Sequence, residues 1–245
     1  MSKLIVGNWK MNKSSKEAQE LLEELAKKSS FCCDIVVCVP YVHLGLASRL
    51  LHKSQIKLGA QNCCHETSHK FTGEISVRML KDFGCEYVIV GHSERRKHFA
   101  EDDLIINKKV LLALKNDLKP ILCVGEELHE PDGSYLKDVL ETQLKIGLAK
   151  LEANQLKNCI IAYEPAWAIN TKERAPLDHI LNTISLIRGV VRELTAVRAA
   201  VIYGGSVDFT NSAELLKQPD IDGLLVGRAS LDFSEFTKTI HSCPH

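Results

Sequence analysis

The chain has 245 residues, 45% of them hydrophobic, and its 31 basic residues balance 31 acidic ones. This is enough apolar content for one large core or at most two small ones. A formal charge of zero supplies no basic field for nucleic acid or an acidic membrane, and no apolar run approaches the ~20 residues a membrane helix needs. A local phosphate site remains open, because a few backbone N–H groups suffice for one.

The N-terminal "MSKLIVGNWK" reads as a strand and not as a signal peptide, since polar Gly7 and Asn8 interrupt its short apolar run. Seven similar runs follow. Together the eight cover 3–9, 34–40, 56–62, 86–92, 120–126, 159–165, 199–205 and 222–228, each with the length and Val/Ile content of a fully buried strand. Segments of helical period lie between them. "SSKEAQELLEELAKK" opens with Ser14 and Glu17 at capping-box spacing and repeats leucine at 21, 22 and 25. Residues 104–117 and 177–194 are similarly amphipathic.

Strict alternation of strand and helix implies parallel strands joined by helical crossovers. Eight such units in a chain of this length predict a closed, parallel (β/α)8 barrel, a TIM barrel, for which ~250 residues is typical. An open doubly wound sheet fits less well, because no G-x-G-x-x-G follows the first strand. No linker or low-complexity tract breaks the pattern, so residues 1–245 read as one domain.

The cysteines number nine, an odd count. Cys32–Cys33 and Cys63–Cys64 are adjacent, and Cys38 and Cys123 lie inside strand runs. Reduced, buried thiols in a cytoplasmic protein explain this better than a disulfide framework. In "CCHETSH" the two cysteines touch, and His65 and His69 have no second pair at zinc spacing, so a polar loop is expected there and no metal site.

In such a barrel the functional site lies at the C-terminal ends of the strands. Those ends carry Asn8 and Lys10 after the first strand, His92, Ser93 and Glu94 after the fourth, and Glu164 after the sixth. Gly204, Gly205 and Ser206 follow the seventh, and Gly227 and Arg228 the eighth. Any one of these alone would read as a solvated charge, a loop histidine or a turn. Their common placement predicts a site. Glu164, between an apolar strand and an apolar loop, is expected to be desolvated and therefore a stronger base. His92 precedes "SERRKHF", a short helix whose N-terminus disfavours added positive charge, so a neutral, hydrogen-bond-donating imidazole is expected. Lys10 supplies positive charge to a developing oxyanion. Base, neutral electrophile and cation together suit proton abstraction beside a carbonyl. The glycine turns, at the start of helices, are expected to hold a phosphate.

These residues carry a resemblance to the triosephosphate isomerase family over the full length. "GNWKMN" (7–12), "GHSERR" (91–96), "AYEPAWAI" (162–169), "YGGSV" (203–207) and "LLVGRASL" (224–231) are similar to that family's signatures, in order and spacing. The resemblance implies interconversion of dihydroxyacetone phosphate and D-glyceraldehyde 3-phosphate in glycolysis and gluconeogenesis, with no cofactor and no metal. Glu164 is implied as the proton-shuttling base and His92 as the group serving the two substrate oxygens, a division of labour known for this family. Asn8 and Lys10 are implied to hold and polarise the substrate, with Glu94 positioning Lys10. Gly204, Gly205, Ser206, Gly227 and Arg228 are implied around the phosphate, Arg228 through its backbone. A homodimer is implied through the loop from Cys63 to Ser76, with Thr72 near the partner's Asn8 and Met11 beneath that loop. Cys63 and Cys64 are then the thiols whose oxidation would bear on the dimer.

"PAWAIN" resembles the family's mobile lid, with Pro165 restricting Glu164 to extended backbone and the apolar run excluding water. Here the stretch departs from the family pattern. It reads "AINTKERAP", with Asn170 where glycine is usual and one residue fewer before Pro176. Asparagine tolerates left-handed backbone, so Asn170 is still expected to aim its N–H at the phosphate. The charged exit at Lys172, Glu173 and Arg174 predicts altered closure with near-normal activity. Two other readings are a sugar-phosphate epimerase, which predicts further acids or metal-binding histidines at the strand ends, and a barrel retained only for protein binding, against which intact Lys10, His92 and Glu164 argue.

Overall fold

The computed structural model describes residues 2–67, 70–128, 134–169 and 174–244. Eight parallel strands close on themselves in chain order. They are β1 (Leu4–Asn8), β2 (Asp34–Val39), β3 (Ile56–Ala60), β4 (Tyr87–Val90), β5 (Lys119–Val124), β6 (Ile160–Tyr163), β7 (Ala200–Tyr203) and β8 (Gly223–Val226). Closure is made by β1 against β8, with Leu4 opposite Gly223 and Gly7 opposite Val226. Gly223 is required at that seam, because a Cβ there would overlap the Leu4 carbonyl.

Helices cross over between strands: α1 (Ser15–Ala26), α2 (Leu44–Leu51), α3 (Val77–Asp82), α4 (Ser93–Phe99), α5 (Asp103–Lys115), α6 (Ser134–Gly147), α7 (Ala153–Leu156), α8 (Leu177–Thr195), α9 (Ser212–Leu216) and α10 (Phe233–His241). The capping box expected at Ser14 and Glu17 is present, and the α1 leucines 21, 22 and 25 are buried. The segment "SERRKHF" is helical over its whole length, as expected. No helix among the described residues is long and apolar enough to cross a membrane.

Side chains alternate across the barrel wall with the period of two that any strand imposes. One parity packs within the barrel: Leu4 and Val6, Val36 and Cys38, Tyr87 and Ile89, Ile121 and Cys123, Ile160 and Ala162, Ile202, and Leu225. The other parity, including Ile5, Val37, Val88, Leu122, Ile161 and Tyr163, joins the larger cluster between strands and helices. Continuing the inner parity past each strand end reaches Asn8 and Lys10, Gln61, Glu164, Gly204 and Gly227. The wall therefore aims these positions into the barrel mouth. His92 has the outer parity of Val88 and Val90. It is turned by Gly91, whose φ of 71° is left-handed backbone that a side chain would strain.

Seven of the nine cysteines are buried, Cys33 is half-buried and Cys32 is exposed; all are free thiols. Cys63 and Cys64 are the thiols whose oxidation would bear on the expected dimer. Both lie inside the protomer, and burial pushes the Cys63 thiol up to about 12.

Candidate active site

The strand ends surround a cavity of about 510 Å³. Asn8, Lys10, His92, Glu164, Gly204, Gly205, Ser206, Gly227 and Arg228 all line it, joined by Ile169, Arg174, Asp208 and Glu235. Every expected strand-end residue on the described chain except Ser93 and the supporting Glu94 thus reaches one space. Asn170, Lys172 and Glu173 lie outside the described residues.

Lys10 has a backbone conformation that few lysines adopt, with φ at 51°. Two side chains hold it there. Asn8 Oδ1 accepts the Lys10 N–H at 3.1 Å. Gln61 Nε2 donates to the Lys10 carbonyl at 3.0 Å and to the Cys38 carbonyl at 3.0 Å, bracing β1 against β2. Lys10 Nζ meets Glu94 Oε1 at 2.6 Å, so Glu94 is in position to orient it. Burial pushes the Glu94 carboxyl up, but the hydrogen bond and charge of Lys10 more than offset this and leave it below its ordinary range.

His92 is the N-cap of α4, and its Nδ1 accepts the Glu94 backbone N–H at 3.2 Å. A backbone N–H can only donate, so Nδ1 must present a lone pair. The ring is therefore neutral with its proton on Nε2. That nitrogen lies 3.1 Å from Glu164 Oε1. The other carboxylate oxygen, Oε2, accepts the Ser93 N–H at 3.1 Å. Glu164 is 2% exposed, while its backbone N–H donates to Val124 O at 2.8 Å and continues the sheet. The Cys123 thiol lies directly beneath. Burial first, and then the adjacent Glu164 carboxylate, hold this thiol protonated, well above its ordinary value.

Behind Glu164 a polar cluster anchors the start of the lid-like stretch. Glu126 Oε1 accepts from Trp167 Nε1 at 2.6 Å and from the Tyr163 hydroxyl at 3.1 Å, and the Glu126 carbonyl accepts the Ala166 N–H. On the opposite wall the Ser206 hydroxyl donates to the Ala168 carbonyl at 2.7 Å. Arg174 is bound to Asp208 at 2.6 Å and to the Thr210 hydroxyl at 3.0 Å.

The glycine turns differ from expectation in one respect. The turn after β8 leads into a single 3-10 turn, Arg228–Leu231, capped by Ser230 donating to the Gly227 carbonyl. The turn after β7 opens no helix, because α9 begins only at Ser212. It is shaped instead by close packing: a Cβ on Gly205 would overlap the Tyr203 hydroxyl.

Gln61, Glu126 and Asp208 were not anticipated. Gln61 was legible in principle, since it ends β3 with inner parity. Glu126 has outer parity, and nothing in the sequence pairs it with Trp167.

The family model for triosephosphate isomerase matches residues 3–243. The chain belongs to the triosephosphate isomerase family. Curated relatives of that name include one from Aquifex aeolicus, 42% identical over 99% of this chain and 100% of its own length. Another, from Alkaliphilus oremlandii, is 43% identical over 97% of this chain and 98% of its own. A third, from Clostridium botulinum, is 45% identical over 97% and 98%. Membership makes the protein an isomerase of the aldose–ketose type, an intramolecular oxidoreductase.

Proposed function

We propose that the protein interconverts dihydroxyacetone phosphate and D-glyceraldehyde 3-phosphate, with Glu164 as base, His92 as electrophile and Lys10 as electrostatic stabiliser. The observation that carries this reading is the meeting of a neutral, Nε2-protonated His92 with the Glu164 carboxylate in one cavity. Glu164 accepts a proton from the carbon beside the substrate carbonyl. The electron pair moves onto the carbonyl oxygen, and His92 Nε2–H stabilises the charge there. His92 then moves a proton between the two oxygens of the enediolate, and Glu164 returns its own proton to the neighbouring carbon. No net oxidation occurs and no further reactant is needed. The Ser93 N–H holds one Glu164 oxygen, which leaves the oxygen facing His92 placed to take the proton when substrate enters.

The phosphate belongs against Gly204, Gly205, Ser206, Gly227 and Arg228. The Ser206 hydroxyl proton is committed to Ala168, so an anion meets Ser206 through its backbone N–H. Asn8 braces Lys10 and faces the same cavity. Asn170 completes the reading as an N–H donor to the phosphate.

The working form is a homodimer, joined through the loop from Cys63 to Ser76. Met11 at 96% exposure and Val42 at 84% support it, as does exposed Phe71 within that loop, since large apolar side chains left in water mark a protein contact. A cytoplasmic location and a single domain over residues 1–245 belong to the same reading. Light scattering distinguishes monomer from dimer.

The deciding experiment is the initial rate of D-glyceraldehyde 3-phosphate isomerisation, beside Glu164→Gln. Removal of the base lowers the rate by roughly 10²–10⁴. A folded wild-type protein without turnover would overturn the assignment.

A further inference from the structure

Behind the base the fold places a histidine that no strand end carries. His179 lies in the first turn of α8, and the Thr183 hydroxyl one turn on donates to its carbonyl at 2.8 Å. Its Nε2 stands 3.0 Å from the Tyr163 hydroxyl oxygen and 3.6 Å from Glu126 Oε1. Its ring meets that of Trp167 edge-on, with centroids 5.7 Å apart. Tyr163 has one proton to give, and that proton goes to Glu126 Oε1 at 3.1 Å. Burial first, and then the Glu126 carboxylate, hold the hydroxyl protonated. The Tyr163 oxygen is left to accept, and His179 Nε2 faces it as a donor.

We infer that His179 is a positioning residue for Glu164, acting from Nε2 through the Tyr163 hydroxyl and the Glu126 carboxylate on the turn that follows the base. The inference rests on the proposed role of Glu164 as that base. Glu126 is 1% exposed, and its Oε2 has no hydrogen-bond partner among the described residues. The direction in which this buried carboxylate points is therefore set by the donors that meet Oε1. Those donors are the Tyr163 hydroxyl and the Trp167 indole N–H, the latter at 2.6 Å. Trp167 belongs to the 3-10 turn Ala166–Ala168, which begins two residues after Glu164. Pro165 lies between them with its φ of −64° fixed by the ring. A shift of the turn is thus passed on to the backbone of Glu164.

Hydrogen-bond chemistry separates this role from simple packing. Leucine fills much of the volume of histidine but offers no donor. Glutamine carries an N–H donor at nearly the reach of Nε2, without the ring. If His179 acts through its proton, glutamine serves in its place and leucine does not. If it only fills the wall behind the base, glutamine has no advantage. The relay also requires Tyr163, because without that hydroxyl the His179 proton has nothing to support.

The test compares kcat and KM for D-glyceraldehyde 3-phosphate in the full chain and in His179→Leu, His179→Gln, Tyr163→Phe and the Tyr163→Phe/His179→Leu double variant, each checked by circular dichroism. His179→Ala replaces the leucine variant if that one does not fold. His179→Leu is expected to lower kcat about tenfold with KM within about twofold, since it displaces the base without touching substrate. His179→Gln recovers kcat to within about threefold of wild type. In the Tyr163→Phe background His179→Leu costs less than about twofold further, because the two residues act as one unit. Solvent exchange of the Trp167 indole N–H, followed by NMR, quickens in His179→Leu and stays slow in His179→Gln. Equal kcat in the leucine and glutamine variants would overturn the inference, as would losses that simply add in the double variant. So would indole exchange that leucine leaves unchanged. The exchange measurement needs no turnover, so it stands apart from the isomerase assignment, which a folded but inactive wild type would sink by itself.

Discussion

His92 Nε2 lies 3.1 Å from Glu164 Oε1, while Nδ1 of the same ring accepts the Glu94 N–H. One backbone donor thereby sets the tautomer of the histidine and leaves its only ring proton on the nitrogen beside the base. Nitrogen-15 NMR of the imidazole at neutral pH is expected to show a single neutral ring protonated at Nε2. A doubly protonated ring would break the proposed division of roles.

Gln61 is expected to matter although it has no chemistry of its own. Its amide holds the Lys10 carbonyl and thereby a left-handed lysine, a conformation that costs of order 1–3 kcal/mol unless its surroundings impose it. Gln61→Leu should lower kcat by about tenfold, through a displaced ammonium, with a smaller effect on KM. Steady-state kinetics on a variant of unchanged circular dichroism checks this. Equal kcat in the two proteins would mean that Asn8 alone suffices.

Gly205→Ala places a methyl group into the Tyr203 hydroxyl. Relief requires movement of the turn that lines the cavity or of a fully buried tyrosine. The expected result is a loss of about 1–3 kcal/mol of stability, read from urea unfolding, and a weaker apparent affinity for inorganic phosphate as a competitive inhibitor.

Arg174 and Asp208 join the segment before α8 to the turn after β7. Burial pushes the Asp208 carboxyl up, but hydrogen bonds from Thr210 and then Arg174 outweigh this and hold it below its ordinary 3.8. A depressed carboxylate contributes stability that is fully present above the unfolded value and lost as pH falls through the folded one. The contribution is therefore complete at neutral pH and disappears below about 3.8. Thermal midpoints of wild type and Asp208→Asn should differ at pH 6 and converge in that acid window. A difference that persists there would assign the effect to packing.

Much of this was legible because barrels are built from local signals. The eight apolar runs became strands within about two residues of their expected bounds, since buried parallel strands need continuous Val/Ile-rich sequence on both faces. Parity along those runs placed Asn8, Lys10 and Glu164 inward. His92 could be placed at a strand end, but not aimed, without knowing that Gly91 turns the chain. The thiols were harder to read. Adjacent Cys63 and Cys64 stood out in sequence, yet they are buried, whereas Cys32 and Cys243, 211 positions apart, share a hydrogen bond.

Sequence alone settled the architecture, the family and the set of polar groups at the strand ends, because periodicity and short-range residue order suffice to specify strands, helices and their crossovers. Tertiary structure decided which nitrogen of His92 carries its proton, what holds Lys10 in a strained backbone, where the Ser206 hydroxyl donates, and that Cys32 meets the Cys243 carbonyl. Each of these depends on atoms brought within hydrogen-bonding reach by closure of the barrel, and short-range forces between residues far apart in the chain leave no periodic trace along it.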